Sequence, residues 1–342
     1  MRVWLPVVRA GSGSDVFSER LADGLRAVGV DVRLDWFPLR YEFLPELLRA
    51  RVPHGTDVIH ANSWNACVFT GRGIPVVATV LHLVHDPAFA PYRSRAEALY
   101  HDMNIRWRER RALRRCDRVT AISHYVARTV EQFSGRRDVI TIPNWVDISR
   151  YAPDTHVDAG VDQPFRLLLV GNQSRRKGAD LLPRLVSELG DGFEIRCTGG
   201  LRNKVDDAHP GVHWLGRLDE ADLIREYQSC DAVITLSRYE GFGYTALEGM
   251  ACGKPVVAFR TSALSEVIED GKTGLLVELE DILAFASACR RLRDDQGWSR
   301  SAGQRARRRA ESVFGQSRSI EMYCDLYAEA IAQREHAEGR SA

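Results

Sequence analysis

Ser237–Arg238–Tyr239–Glu240–Gly241–Phe242–Gly243–Tyr244–Thr245–Ala246–Leu247–Glu248–Gly249–Met250–Ala251–Cys252–Gly253 follows directly on the apolar run Ala232–Val233–Ile234–Thr235–Leu236. The run reads as a buried strand, the glycine-rich stretch as a sharp turn and the remainder as a helix. Glu240 lies in the turn, and Glu248, seven residues intervening, lies two turns into the expected helix. The amides of Gly243, Tyr244 and Thr245 would open that helix, and helix-opening amides without intrahelical acceptors form a cradle for phosphate. Two carboxylates beside such a cradle suit a phosphorylated ligand that carries hydroxyls at both ends.

Outward from this segment, short β-branched runs alternate with helical patterns along the chain. The first series of expected strands is 2–8, 32–37, 57–61, 76–80, 118–123 and 139–143, and the second is 165–170, 193–198, 212–215, 232–237, 256–259 and 274–277. Helix-period segments such as 15–28 and 95–115 separate most of them, which predicts βαβ crossovers and parallel sheets. At 342 residues the chain exceeds the roughly 250–300 at which single cores stop growing. The expected organisation is an α/β protein of two Rossmann-like doubly wound domains: residues 1–152, a linker at 153–163, residues 164–316, and a closing helix at 317–342 returning to the first domain. Such domains, facing one another across a cleft, carry ligands at the carboxyl ends of their strands.

Composition narrows the function. A hydrophobic fraction of 44% and a charged fraction of 27% are ordinary for a globular protein. The net charge of +1 is a cancellation: residues 1–150 hold 22 basic and 16 acidic side chains, leaving 25 basic and 30 acidic for the rest. This excludes a uniformly basic nucleic-acid binder and leaves a basic first half. Seven cysteines, odd in number and without a CxxC pair, indicate a reducing, cytoplasmic setting and no zinc site. The apolar run 3–8 contains Pro6 and is too short for a signal segment or membrane span.

The 237–253 text resembles the E-x7-E signature of retaining GT-B glycosyltransferases of family 4. Ala251–Cys252–Gly253–Lys254–Pro255–Val256–Val257 and Ser265–Glu266–Val267–Ile268, with Gly271–Lys272–Thr273–Gly274–Leu275–Leu276–Val277 after them, extend the likeness. The resemblance implies transfer of a sugar from a nucleotide sugar, such as a UDP- or GDP-sugar, to an acceptor hydroxyl in glycan, envelope polysaccharide or glycolipid synthesis. It assigns Glu240 to the donor sugar and Glu248 to the ribose, with Gly241, Phe242 and Gly243 lining the sugar pocket.

Gly171–Asn172–Gln173–Ser174–Arg175–Arg176–Lys177–Gly178 resembles the family's loop that clamps the donor diphosphate. Lys177, one of only four lysines beside 43 arginines, matches that loop's Lys-Gly. Asn172 stands where the family has Arg, so either Arg175 or Arg176 replaces the missing cation, or Asn172 hydrogen-bonds a phosphate neutrally. With cations stabilising the departing diphosphate, the reading calls for no metal or other cofactor. No DxD motif or cluster with metal-ligand spacing is present in the sequence.

In the first half, Gly11 and Gly13 form a glycine turn that fails the GxGxxG spacing and, by resemblance, approaches donor phosphates or acceptor. His82 is favoured over His85 as the histidine near the transferred sugar; structural hydrogen bonding is the alternative for both. Residues 93–115 contain eight arginines and three acids, with Leu99, Met103 and Trp107 at four-residue steps. Two readings stand: a helix packed on the sheet with a charged outer face, or a surface that meets anionic lipid on the inner face of the cell membrane. Rival functions are a GT-B epimerase or phosphorylase, a dehydrogenase, and a non-catalytic sugar-nucleotide sensor.

Overall fold

The computed structural model describes residues 1–11, 13–154, 163–172, 174–199 and 211–339, with side chains as far as 336. Twelve strands are present among them. Arg2–Val8 (β1), Asp31–Phe37 (β2), Val58–Asn62 (β3), Val76–Val80 (β4), Arg118–Ala121 (β5) and Val139–Thr141 (β6) make one parallel sheet, in the order β2-β1-β3-β4-β5-β6. Phe165–Leu169 (β7), Phe193–Thr198 (β8), Val212–Gly216 (β9), Ala232–Thr235 (β10), Val256–Phe259 (β11) and Gly274–Val277 (β12) make the other, in the order β12-β11-β10-β7-β8-β9. Strand order reverses between β1 and β3 in the first sheet and between β7 and β10 in the second. In doubly wound sheets that reversal opens a crevice at the carboxyl ends of the two strands.

Strands β4, β10 and β11 are buried along their whole length, as their unbroken apolar text requires once helices cover both faces. In the second sheet, Leu182–Leu189 and Ile282–Asp294 supply one cover, packing Leu185, Leu189, Phe285 and Leu292 against Leu167, Ile195 and Ile234. On the other face Tyr244–Ala251 lies tight on β10, for a Cβ at Gly249 would stand 2.4 Å from Val233 Cγ2.

The chain divides into two compact units, Met1–Asn144 with Gln316–Ala342, and Trp145–Gly315. The first crossing thus lies at Asn144/Trp145, eight residues before the boundary expected at 152, because residues 145–151 are built into the second unit. Trp145, Val146 and Tyr151 are buried, Val146 N–H donates to the Phe314 carbonyl at 3.1 Å, and Arg307 donates to the carbonyls of Ile148 (2.9 Å) and Tyr151 (2.5 Å). Of the expected linker, 155–162 lie outside the described residues.

The long helix Gln316–Gly339 belongs to the first unit, where a buried polar chain fastens it to the sheet. Tyr327 Oη is 2.5 Å from His60 Nδ1, His60 Nε2 is 2.6 Å from Thr79 Oγ1, and Thr79 is 2.6 Å from Thr120 Oγ1. Burial pushes the His60 imidazole down to about 3, so the folded protein holds it neutral. Between pH 6.5 and about 3 the unfolded chain binds a proton at this histidine that the folded chain does not, so stability falls as pH falls through that window. The expected slope from His60 is up to about 1.4 kcal/mol per pH unit. Denaturant melts from pH 7.5 to 5 should show a steeper decline in wild type than in His60→Gln.

The segment 95–115 is helical throughout, but its middle turn, His101–Ile105, is a π turn. Ile105, Glu109, Ala112 and Leu113 face inward, whereas Leu99, Met103 and Trp107 face solvent at 62%, 70% and 63% exposure. The helix is packed on its inner side and charged on its outer side, but Leu99, Met103 and Trp107 do not form the packed side. The wider π turn re-phases the helix, and the inward side is supplied by other positions.

Candidate functional site

The reversal of strand order in the second sheet sets the loop after β7 beside the loop after β10, and these are the two segments singled out in the sequence. In the first loop, Ser174 Oγ accepts from Lys177 N–H at 3.3 Å and caps the 3-10 turn Arg175–Lys177. Gly178 closes that turn at φ 74°, and a Cβ there would stand 2.1 Å from the Leu236 carbonyl oxygen. Only glycine permits both the left-handed conformation and that backbone approach.

The two loops are then stitched together. Arg238 N–H donates to the Arg176 carbonyl at 2.8 Å, and Arg176 Nη1 donates to the Tyr239 carbonyl at 2.9 Å. Arg238, with a side chain 4% exposed, donates to the Arg175 carbonyl at 2.5 Å, grips Asp180 bidentately at 2.6 and 2.9 Å, and bonds Glu280. Sequence reasoning passed over Arg238. Among 43 arginines nothing in its local text separates a buried clamp from a surface charge.

This stitching brings three expected residues together. Lys177 Nζ forms an ion pair with Glu240 Oε1, and Arg176 Nη1 lies 3.8 Å from Glu240 Oε2. Glu240 is buried and its N–H donates to Ser262 Oγ at 2.8 Å. Burial alone would raise its pKa, but the charges of Lys177 and Arg176 outweigh it and hold the carboxyl below its usual value. Arg175 and Asn172 are exposed, and Gln173 lies outside the described residues.

Phe242 is buried edge-on between Tyr244 and Phe314, both at 5.7 Å, and anchors the glycine turn. Gly243 takes φ 110° and supplies no side-chain cap to Tyr244–Ala251, so the amides of Tyr244 and Thr245 begin a helix that its own N-cap residue does not close. Glu248 is the fifth residue of that helix, about one turn in where two were expected, because the glycine turn extends as far as Gly243. It is buried and accepts from Tyr227 Oη at 3.0 Å. Burial, followed by the charge of Glu248, pushes the Tyr227 phenol well up. Tyr227, on the preceding helix, carried no sequence signal.

Beside the Lys177 side chain is a pocket at the ends of β7, β8 and β10. Gly171, Asn172, Thr198, Thr235, Ser237 and Trp214 line it, over an apolar floor of Leu169, Leu182 and Cys197. Gly171 N–H donates to Thr198 Oγ1 at 3.0 Å, and Gly199 N–H donates to the Gly216 carbonyl at 2.7 Å. Thr198 and Gly216 are the last residues of β8 and β9; Gly200 and Leu201 lie outside the described residues.

The first unit holds the remaining candidates. Gly11 precedes the helix Gly13–Ala27, and the Asp15 carboxylate accepts from Ala10 N–H (3.1 Å) and Gly11 N–H (2.8 Å). These two amides are thus engaged by the turn's own helix. His82 is exposed and edge-on to Phe89 at 5.6 Å. His85 has a side chain only 2% exposed, stacked on Phe133 at 5.2 Å and 3.9 Å from Glu109 Oε2. Burial and then Arg106 push His85 down to about 4; burial pushes Glu109 up to about 7 against its hydrogen bond from Ser63. Among the described residues no group of His, Cys, Asp or Glu is arranged to hold a metal ion.

Comparison with known proteins gives consistent results. The Glycosyltransferase Family 4 model matches residues 7–150, and the Glycosyl transferases group 1 model matches residues 164–295. The D-inositol 3-phosphate glycosyltransferase of Pseudarthrobacter chlorophenolicus is 30% identical over 320 residues, covering 84% of this chain and 74% of that protein. The N-acetyl-alpha-D-glucosaminyl L-malate synthase of Bacillus anthracis is 30% identical over 238 residues, 63% of this chain and 60% of that one. Among solved structures, sucrose-phosphate synthase from Thermosynechococcus elongatus superimposes with a TM-score of 0.84 at 21% identity, over 97% of this chain and 100% of that one. Anabaena HepE in complex with UDP-glucose superimposes at 0.75 and 18% identity, over 96% and 100%.

The Lys177–Glu240 pair makes a stability prediction independent of function. Lys177→Met leaves Glu240 buried beside Arg176 alone and should cost roughly 1–3 kcal/mol at pH 7. Because the depressed Glu240 pKa stabilises the fold above the ordinary carboxyl range and is lost as pH falls below it, that cost should shrink by pH 4. Paired denaturant melts at the two pH values measure it; an equal cost at both would dissociate the lysine from the carboxylate.

Proposed function

The chain belongs to glycosyltransferase family 4, the glycosyl transferases group 1, and has the GT-B fold; glycosyl transfer in glycan biosynthesis is its chemistry, and from that premise we propose the following course for the reaction. The donor is a nucleoside diphosphate sugar, the acceptor presents a hydroxyl on a carbohydrate, lipid-linked or small-molecule substrate, and the anomeric configuration is retained. The observation that carries this reading is the convergence of Lys177 and Arg176 on Glu240 where the two loops are stitched together.

In this reading the diphosphate takes Lys177 from Glu240, and the amides at Gly243, Tyr244 and Thr245 receive its remaining oxygens. Arg176 is the cation that stands in for the Arg absent at Asn172, since its guanidinium already faces the carboxylate while Arg175 faces solvent. Glu240, released from Lys177, orients the sugar hydroxyls, and Glu248, held by Tyr227, orients the ribose. As the glycosyl–phosphate bond breaks, its electron pair goes to the phosphate oxygen. Fixed cations stabilise that charge, and the same oxygen takes the acceptor's proton as the new bond forms on the same face. Neither a protein nucleophile nor a divalent metal is then needed. His82 is the residue of the first unit proposed near the sugar, with Gly11 and Gly13 at the acceptor or phosphate side.

Seven free cysteines, six buried and Cys324 half-buried, suit the cytoplasm. No helix among the described residues is long and apolar enough to cross a membrane. Attachment at the membrane's inner face is the proposed location for meeting a lipid-linked acceptor.

Product formation from a panel of UDP-, GDP-, ADP- and dTDP-sugars in excess EDTA tests the reading. One donor should turn over, Lys177→Ala should lower kcat about 10²–10³-fold, and Glu240→Ala should abolish transfer while nucleotide binding persists. Arg176→Ala should lose roughly tenfold, with Asn172→Arg restoring most of it. Activity that requires Mg²⁺, or a product of inverted configuration by NMR, would refute the mechanism.

A further inference from the structure

Seven of the twelve exposed large hydrophobic residues among the described side chains fall in two adjoining segments of the first unit: Leu39, Phe43, Leu44 and Leu47, and Leu99, Met103 and Trp107. The segments are joined. Phe43 packs against the Tyr100 ring at 5.5 Å, Tyr100 Oη donates to Glu42 at 2.9 Å, and Arg108 donates to the carbonyls of Glu42 and Phe43, both at 3.3 Å. The result is one apolar patch on a fixed scaffold, where soluble proteins ordinarily scatter such residues singly.

Its border is basic. Residues three, four and seven positions after Trp107 share its helix face, and these are Arg110, Arg111 and Arg114. Arg111 lies over the Trp107 ring at 5.4 Å, and Arg95 and Arg110 are exposed. The nearby acids do not balance these charges: residues 39–47 and 93–115 hold nine arginines and five acids, of which Glu109 is buried against Ser63, Asp102 lies 3.4 Å from Arg106, Glu46 lies 3.8 Å from Arg108, Glu97 caps its helix with Ser94 and Glu42 accepts from Tyr100. Charge left to face outward is therefore positive.

We infer that this patch docks on an anionic lipid surface, with Leu99, Met103, Trp107 and the Phe43 segment entering the headgroup–acyl boundary and the surrounding arginines meeting lipid phosphates. An apolar stripe ending in tryptophan and rimmed by arginine is the composition of interfacial helices. Arginine at the rim selects an anionic surface over the face of a second copy, which would bring like charges together. The inference concerns a surface of the first unit and stands or falls apart from the donor chemistry assigned to the second.

Co-sedimentation of the full chain with phosphatidylcholine vesicles, with and without 30% phosphatidylglycerol, tests it at low and high salt. Retention should require the anionic lipid and should drop sharply at 0.5 M NaCl (roughly the salt at which exposed charges are screened). Met103→Glu/Trp107→Glu should abolish retention, and Arg95→Glu/Arg110→Glu should weaken it by about fivefold or more per residue. Unchanged thermal melting and nucleotide binding would show that the variants keep their fold and donor site. No retention of wild type, or retention unaffected by both variants, overturns the inference. So does a dimer in sedimentation velocity that Met103→Glu/Trp107→Glu dissociates.

Discussion

Backbone contact between Gly178 and Leu236 sets the distance between the two loops of the second unit, and Arg238 keeps it. A side chain at position 178 would collide with a carbonyl at 2.1 Å, so the loops can close only because that residue is glycine. Once they close, the Arg238 guanidinium fills the seam. It satisfies the Arg175 carbonyl and pairs with both Asp180 and Glu280, so a charge that would be costly to bury alone is fully partnered. The positions of Arg176 and Lys177 follow, because their backbone hangs on that seam. The meeting of two cations with Glu240 is thus a consequence of packing at the sheet's reversal point.

That dependence explains what could be read from the sequence. Strand and helix text was plain because parallel strands buried on both faces leave unbroken apolar runs, and all twelve expected strands are present. Glu240, Lys177 and the glycine turn were legible because each is a chemical oddity: an acid beside GFG, and a lysine in an arginine-rich chain. Arg238 and Tyr227 were not. One is an arginine among many, and the other reaches Glu248 across 21 residues through a tertiary contact that no local pattern encodes.

The misreadings have physical causes as well. Pro153 and the polar run after it looked like a boundary, yet Arg307, far along the chain, draws residues 148 and 151 into the second unit. Four-residue steps at Leu99, Met103 and Trp107 left open whether that stripe faced inward or outward. In an α-helix such steps drift by about 40° each, whereas here a π turn between them changes the phase, and Ile105, Ala112 and Leu113 take the inner side. Periodicity reports that residues share a face; it does not report which way the face looks. Part of the basic excess in the first half, hidden in a neutral total, lies beside that outward face, at Arg110, Arg111 and Arg114.

The account's central claim is that Lys177 exchanges Glu240 for a donor diphosphate. A crystal structure of the wild-type chain with the diphosphate of its preferred donor, grown in EDTA, tests this most directly. The account predicts phosphate oxygens within hydrogen-bond reach of Lys177 Nζ and the Tyr244–Thr245 amides, with Lys177 parted from Glu240. A diphosphate bound away from these groups, with the Lys177–Glu240 pair intact, would contradict it.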